Sequence, residues 1–209
     1  MFGPDFWQKL AIGLPILLLS LTVHEFFHAW TAKKFGDDTA ERMGRLTLNP
    51  IAHIDLIGLM VMIASQFRFG WAKPVPVNPM NLRNPRVADI WISAAGPISN
   101  LGLALIAGTL FRVMHAATSG FQTLPEAVPI MLTYAVWINV SLAFFNLIPL
   151  FPLDGSHILR NLLPREMEAS MDRFDTVAPF VLLGLVVFGM VWVIIGPAVM
   201  FVAPLFLGA

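Results

Sequence analysis

The sequence predicts an all-α polytopic membrane protein with about five apolar helical segments, one of them short enough to be re-entrant, and a short membrane-associated β-hairpin. Of the 209 residues, 57% are apolar and 12% are charged, and the mean hydropathy is +0.74. A soluble domain carries about 25% charged residues. Several apolar runs also approach the roughly 20 residues that a helix needs to cross a bilayer, so lipid is the expected solvent.

The charge and the cysteine content exclude several classes of function. Lys and Arg balance Asp and Glu, 13 against 13, so the net charge is zero and no basic surface for nucleic acid is expected. The chain has no cysteine, which removes disulfides, thiolate metal ligands and thiol nucleophiles. Any metal ion would therefore be held by His, Asp or Glu.

The first apolar run covers residues 6–30 and is long enough for one membrane crossing. Asp5 weakens the basic start that a signal peptide would have, and the run passes directly into His24 and Glu25, which favours a retained helix. The second run, residues 54–67, is short for a full crossing.

The third run, residues 87–114, carries Ala95, Ser99 and Gly102 at a helical spacing. Their small side chains would let another helix approach closely along that face. The fourth run covers residues 128–148 and ends before two prolines.

Two elements are predicted after the fourth run. A short helix covers residues 155–163, and a last apolar segment runs from residue 176 to the C-terminus. The last segment is long enough for one tilted helix, or for a helix broken near Gly196 and Pro197.

A β-hairpin is predicted at residues 70–79, and residues 46–48 are predicted separately as a short strand that ends at a turn. Pro74, Pro76 and Pro79 prevent a helix and favour extended backbone. Non-helical backbone at membrane depth needs protein or a water-filled cavity around it, so the hairpin is expected to lie against the helical bundle.

Basic residues flank the second apolar run on both sides, and short loops rich in Lys and Arg tend to stay cytoplasmic. If both flanks are cytoplasmic, the second run is re-entrant, and the first and fourth helices point the same way. No repeat or linker divides the chain, so residues 1–209 are expected to form a single membrane-embedded domain. The flanking residues are Lys33, Lys34, Arg42 and Arg45 before the run and Arg68, Lys73, Arg83 and Arg86 after it.

The first helix carries the H-E-x-x-H sequence at His24, Glu25 and His28. Residues four apart lie on one helix face, so the two imidazoles can hold a single Zn²⁺ at about 2.0–2.1 Å. Glu25 could then act as general base toward a zinc-activated water. Ionisable groups inside a membrane helix are costly and mark functional sites; the alternative is a helix end whose polar residues only reach the headgroups.

Asp154 is the preferred third zinc ligand, since a hydrolytic zinc site has three protein ligands and one open position. It follows two prolines that interrupt a membrane helix. Asp154 could instead cap the next helix, or do both. His53, His115 and His157 are less favoured candidates, because each has an ordinary structural explanation.

The H-E-x-x-H helix and the segment N-L-I-P-L-F-P-L-D-G at residues 146–155 together resemble the site-2 protease family of intramembrane zinc metalloproteases. Residues 44–50, 70–79 and 94–100 also resemble the compact prokaryotic branch in order and spacing. The resemblance covers about residues 6–163. It implies one Zn²⁺ per chain, held by His24, His28 and Asp154, with Glu25 as catalytic base.

The resemblance further implies that Asn146 orients the substrate or donates to the developing oxyanion; helix capping is the alternative. The implied partners are transmembrane protein substrates and the lipid bilayer, and the implied location is a prokaryotic cell membrane. The chain has no room for the PDZ domain of larger relatives, so substrate selection is expected within the membrane part.

Two other functions fit parts of the sequence. A membrane zinc peptidase could cut soluble segments with a distal Glu as third ligand, but Glu126, Glu166 and Glu168 lie in polar loops. A non-enzymatic zinc bundle could capture single-pass helices, but such a site would not need Glu25. For the enzyme, residues 71–77 could pair with an unwound substrate as an added strand; a bare connecting loop is the alternative.

Overall fold

The computed structural model describes residues 4–64 and 70–208, and these residues are mostly helical. Single 3₁₀ turns lie at Pro50–His53, Pro79–Asn81 and Arg165–Met167. The helices are α1 (Pro4–Lys34), α2 (Thr39–Arg42), α3 (Leu56–Ala64), α4 (Pro85–Ala117), α5 (Ala127–Asn146), α6 (Asp154–Leu162), α7 (Glu168–Val187) and α8 (Val191–Leu207).

Three helices are long and apolar enough to cross a membrane: α1 from Leu10 to Lys34, α4 and α5. They lie where the first, third and fourth apolar runs predicted them. Helices α7 and α8 together pass the same test as a bent pair, which gives up to four candidate spans in the described residues. The expectation of a mostly helical chain with several apolar helices of membrane-spanning length is therefore confirmed.

Contacts between α1, α4 and α5 give their relative directions. His28 contacts Ile92 and His24 contacts Asn100, so α1 and α4 run antiparallel. Asn100 also contacts Asn139 of α5. Because α5 leads on toward Asp154, which reaches both histidines, α1 and α5 run in the same direction, as the predicted topology requires.

The buried face of α4 differs from the predicted one. Gly96, Asn100 and Ala104 are buried along α4, whereas the small-residue pattern indicated Ala95, Ser99 and Gly102. Of the predicted three, only Ser99 is buried. The packed face is thus rotated by about one residue, and it places a polar side chain, that of Asn100, between the helices.

The second apolar run forms α3, which has nine residues. At about 1.5 Å per residue it is only about 14 Å long, less than half of a ~30 Å hydrocarbon core. This length agrees with a re-entrant segment that enters the membrane without crossing it. Residues 65–67, the end of the predicted run, lie outside the described residues.

No β-strand occurs in the described parts of the chain, so the predicted hairpin is not confirmed. Residues 71–78 carry no helix or turn, and residues 46–48 bend. The backbone groups of Lys73 bond to separate partners and not to a neighbouring strand. The Lys73 N–H donates to the His53 carbonyl oxygen, and the Arg45 guanidinium donates to the Lys73 carbonyl oxygen. Prolines 74 and 76 lack the N–H groups that a second ladder would need. We call residues 70–78 the extended segment.

The last apolar segment is not broken at Gly196 and Pro197. It is divided between α7 and α8, which are bent by 69°, and the break lies at residues 188–190. Gly189 has a φ of 70° there, a left-handed conformation that glycine adopts without steric cost. Pro197 lies inside α8.

The main apolar core lies between α4, α5, α7 and α8 and also includes the loop before α6. Its buried members include Ala104, Val136, Val140, Ile148, Leu153, Leu182, Ile195 and Val199.

Candidate metal centre

His24, His28 and Asp154 meet at one point between α1, α4 and α6. The Nε2 atoms of the two histidines lie 3.0 Å apart. His24 Nε2 is 3.3 Å from Asp154 Oδ2, and His28 Nε2 is 3.3 Å from Asp154 Oδ1. One ligand atom from each residue thus lies within 4.8 Å of the others, although Asp154 is 126 positions after His28 in the sequence.

The outer ring nitrogens fix the tautomer of both histidines. His24 Nδ1 lies 2.7 Å from Asn100 Oδ1, and His28 Nδ1 lies 2.6 Å from the Ile92 carbonyl oxygen. Both partners are hydrogen-bond acceptors, so each Nδ1 carries the proton and donates. A neutral imidazole with its proton on Nδ1 has a free lone pair on Nε2, so in this form both Nε2 atoms can bind a metal ion.

This arrangement fits a divalent cation. Two lone pairs and a carboxylate face one another, and Asp154 Oδ2 is buried without a hydrogen-bond partner. Zinc bonds of about 2.0–2.2 Å place tetrahedral ligands about 3.3 Å apart, close to the observed separations. A cation among the three atoms would convert their mutual repulsion into attraction.

Gly96 of α4 makes room for the two imidazoles. A Cβ atom at this position would lie 2.5 Å from His24 Cε1 and 2.5 Å from His28 Nε2. Any side chain there would displace the ligand atoms. The sequence did not indicate this contact between Gly96 and the imidazoles.

Asp154 is the first residue of α6, and Leu153 occupies the cap position. The interpretation that Asp154 only caps this helix is therefore wrong. The start of α6 packs closely on the end of α5, since a Cβ at Gly155 would lie 2.3 Å from the Leu147 carbonyl oxygen. This close approach brings the Asp154 carboxylate to the histidines.

Glu25 lies beside His24 on α1 and is 9% exposed. Its carboxylate accepts a hydrogen bond of 3.0 Å from the backbone N–H of Val75, in the extended segment. The contact joins the predicted catalytic base to a segment 50 residues away, and nothing in the sequence indicated it.

Asn146 is the last residue of α5 and is partly buried. One N–H of its amide donates to Leu142 O at 3.0 Å. The other N–H remains for a further acceptor. The described contacts do not join Asn146 to the three candidate ligands.

The other candidate ligands lie elsewhere. His53 is buried, 2.8 Å from the Thr47 carbonyl oxygen and beside Arg45. His157 lies 3.5 Å from Asp89, and His115 packs between phenylalanine rings. Glu126, Glu166 and Glu168 are exposed. None of these residues belongs to the cluster of His24, His28 and Asp154.

The chain is similar to several known zinc metalloproteases. A putative zinc metalloprotease of Bacillus subtilis, YwhC, is 44% identical over 163 residues, which cover 77% of this chain and 73% of the relative. The putative zinc metalloprotease Rip2 of Mycolicibacterium smegmatis is 32% identical over 74% of this chain and 58% of its own. A zinc metalloprotease of Methanocaldococcus jannaschii is 24% identical over 77% of this chain and 36% of its own.

No solved structure matches the chain significantly. The family model for Peptidase family M50 matches residues 12–132 and 122–189, which include all three residues of the cluster. Taken with the 44% identity to YwhC, this match confirms the family that the motifs resemble: the chain belongs to Peptidase family M50, the site-2 protease family.

Proposed function

We propose that this protein is an intramembrane protease that hydrolyses peptide bonds within or near the transmembrane helices of membrane proteins. Its enzyme class follows from its family, in which the relatives are named zinc metalloproteases. The observation that carries the proposal is the cluster of His24, His28 and Asp154, whose metal-facing atoms lie 3.0–3.3 Å apart. Two of the three residues belong to an apolar helix long enough to cross a membrane.

His24, His28 and Asp154 would hold one Zn²⁺, and a fourth position would be open to water or substrate. When bound, the ion supplies Lewis acidity, which lowers the pKa of water and polarises a carbonyl group. With two neutral imidazoles and one carboxylate, the site keeps a net charge of +1, which favours a developing oxyanion.

Glu25 is the proposed general base. Its carboxylate adjoins His24 in the sequence and is nearly buried, where it can take a proton from the attacking water and later pass it to the leaving amine. Asn146 is proposed to donate its free N–H to the substrate backbone or to the oxyanion. Both roles rest on the match of these positions to the family motifs.

The protein is proposed to cross the membrane several times as a single unit, in a prokaryotic cell membrane. Three helices of suitable length and apolarity support this, as does the site that α1, α4 and α6 build jointly. The bilayer is its expected environment, and transmembrane proteins are its proposed substrates.

A transmembrane helix hides its peptide groups in internal hydrogen bonds, so cleavage needs local unwinding. We propose that the extended segment receives the unwound substrate as an added strand. The Val75 N–H would then pair with the substrate in place of Glu25. Release from Val75 would free the Glu25 carboxylate for proton transfer once a substrate is present.

The test compares wild type with His24→Ala, Asp154→Ala and Glu25→Gln, measuring zinc content and cleavage of a co-expressed model transmembrane substrate. We expect the first two variants to lose zinc and activity. Glu25→Gln should keep zinc and lose about 10²–10⁴-fold in rate, the usual contribution of a general base. Cleavage that survives Glu25→Gln unchanged would overturn the proposed mechanism, and zinc binding that survives both alanine variants would overturn the metal site.

A further inference from the structure

A chain of buried amide groups leads from the backbone of α5 to His24. Asn100 and Asn139 are 0% and 2% exposed, although both lie in helices that are apolar enough to cross a membrane. Buried amides in such surroundings are costly unless their hydrogen bonds are made. Here both amides make their hydrogen bonds, and only one order of donors and acceptors fits the whole series.

This order starts at the carbonyl oxygen of Ala135, which can only accept. Asn139 Nδ2 donates to it at 2.9 Å, so Asn139 Oδ1 faces Asn100. Asn100 Nδ2 donates to Asn139 Oδ1 at 2.9 Å and to the Ser20 carbonyl oxygen at 3.3 Å. A flipped Asn100 amide would place its oxygen against two acceptors.

The amide orientation of Asn100 therefore determines the tautomer of His24. Asn100 Oδ1 lies 2.7 Å from His24 Nδ1 and can only accept, so the proton stays on Nδ1 and Nε2 keeps its lone pair. We propose that Asn100 is a positioning residue of the metal centre, which holds His24 in its metal-ligating tautomer, and that Asn139 orients Asn100. The inference rests on the proposed function in taking His24 to be a ligand.

Without Asn100, another tautomer would compete. A proton on His24 Nε2 could be donated to Asp154 Oδ2 at 3.3 Å or to His28 Nε2 at 3.0 Å. That proton would occupy the Nε2 lone pair that the metal needs. Its hydrogen bond to Asp154 or His28 would also stabilise the site without a metal ion. Since His28 receives its acceptor from the backbone of Ile92, only the tautomer of His24 depends on a side chain that can be replaced.

The experiment measures Zn²⁺ affinity by chelator competition on purified protein in detergent micelles. Asn100→Leu keeps the side-chain volume and removes the acceptor, and we expect about 10- to 100-fold weaker binding, as for other groups that orient a ligand. Asn100→Asp keeps the acceptor toward His24 when its second oxygen is protonated and donates to Asn139 Oδ1, so its loss of affinity should be smaller than that of Asn100→Leu. Asn139→Leu should lose less than Asn100→Leu, because the Ser20 carbonyl still orients Asn100.

A second readout follows the proton directly. In ¹⁵N-histidine-labelled, metal-free protein, wild type should show the Nδ1–H tautomer at His24, and Asn100→Leu should shift His24 toward Nε2–H. The His24 signal is identified by its loss in His24→Gln. Thr22→Val is the matched control, since the Thr22 hydroxyl is buried on the same helix and donates only to Leu18 O; both readouts should match wild type.

The inference is overturned if Asn100→Leu binds Zn²⁺ as wild type does, or if Asn100→Leu and Asn100→Asp weaken binding equally, which would indicate a packing role. If Asn100→Leu does not fold, Asn100→Ala takes its place in both readouts, and an unchanged His24 tautomer in that variant overturns the inference. Loss of zinc in His24→Ala alongside unchanged binding in Asn100→Leu would leave the proposed function intact. Zinc retained in His24→Ala would refute the proposed function itself.

Discussion

The backbone N–H of Val75 donates a hydrogen bond of 3.0 Å to the carboxylate of Glu25, across 50 residues of sequence. The two ends of the extended segment are held separately. At one end, the Lys73 N–H donates to the His53 carbonyl oxygen, and the Arg45 guanidinium donates to the Lys73 carbonyl oxygen. At the other end, the Asn78 N–H donates to the Asp37 carboxylate. These contacts at both ends therefore hold the Val75 amide in position beside the Glu25 carboxylate.

Val75→Pro tests this contact, because it removes the donor and keeps an extended backbone. We expect cleavage to slow by about 2- to 10-fold, the equivalent of one neutral hydrogen bond from the Val75 amide to the substrate backbone, while zinc content stays normal. Pro76→Ala is the control, since residue 76 contributes no N–H in the wild type. Equal rates for wild type and Val75→Pro would show that neither Glu25 nor an incoming strand uses this amide. Val77→Pro extends the test to the next backbone N–H in the segment.

Gly96→Ala should abolish the metal centre. The added methyl group would lie 2.5 Å from His28 Nε2 and from His24 Cε1, so α1 and α4 must separate or the imidazoles must rotate away. We expect zinc to be lost from the purified protein and cleavage to stop. The measurement is metal analysis together with the substrate assay.

Gly102→Ala is the control for that substitution. It lies on the same helix, and a Cβ there would meet nothing within 4 Å, so zinc and activity should be unchanged. Helix stability should even rise by about 0.5–1 kcal/mol, the usual gain for alanine over glycine. Full zinc occupancy in Gly96→Ala would contradict the close approach of the imidazoles to α4.

The sequence allowed the candidate ligands to be predicted, because the spacing of these residues sets much of their geometry. His24 and His28 share a helix face whatever surrounds them, and Asp154 follows two prolines that must end a membrane helix. Long apolar runs likewise placed α1, α4 and α5. These features depend on local rules, so no knowledge of the tertiary contacts was needed.

Features that depend on long-range contacts were not predictable. The buried face of α4 is centred on Gly96 and Asn100, one residue away from the small-residue pattern, because the imidazoles of α1 select it. The sequence did not indicate that Asn100 contacts His24. The hairpin was predicted from prolines alone, but whether extended backbone pairs depends on partners such as Arg45.

Asp37 anchors the extended segment, and its loss should destabilise the fold. It is fully buried and accepts hydrogen bonds from Thr39, Asn78 and Asn81. Burial alone would raise its pKa, but these donors outweigh burial and hold the pKa below its ordinary value. Asp37→Ala leaves those donors without an acceptor, and we expect a loss of about 2–3 kcal/mol.

The sign of the pH dependence follows from the lowered pKa. A carboxylate with a lowered pKa stabilises the fold fully above its unfolded pKa of about 3.9, and that stability disappears as the pH falls through the folded pKa. The gap between wild type and Asp37→Ala should therefore be constant from pH 5 to 8 and shrink in stronger acid. Asp38→Ala is the matched control, because Asp38 makes only an exposed ion pair with Arg42, worth about 0.3–0.5 kcal/mol.

Zinc should stabilise the protein through Asp154. The two imidazoles and the carboxylate come together only in the folded protein, so a bound cation stabilises the folded state over the unfolded state. At a thousandfold excess over its dissociation constant, a ligand of this kind stabilises by about 4 kcal/mol. We expect chelation to lower the apparent Tm of wild type by roughly 8–16 °C, with recovery on adding Zn²⁺. In Asp154→Asn, the Tm shift on chelation should be much smaller. Asp172→Asn changes an exposed carboxylate on α7 and should respond as wild type does. Equal shifts in all three proteins would place the stabilising zinc somewhere other than at His24, His28 and Asp154.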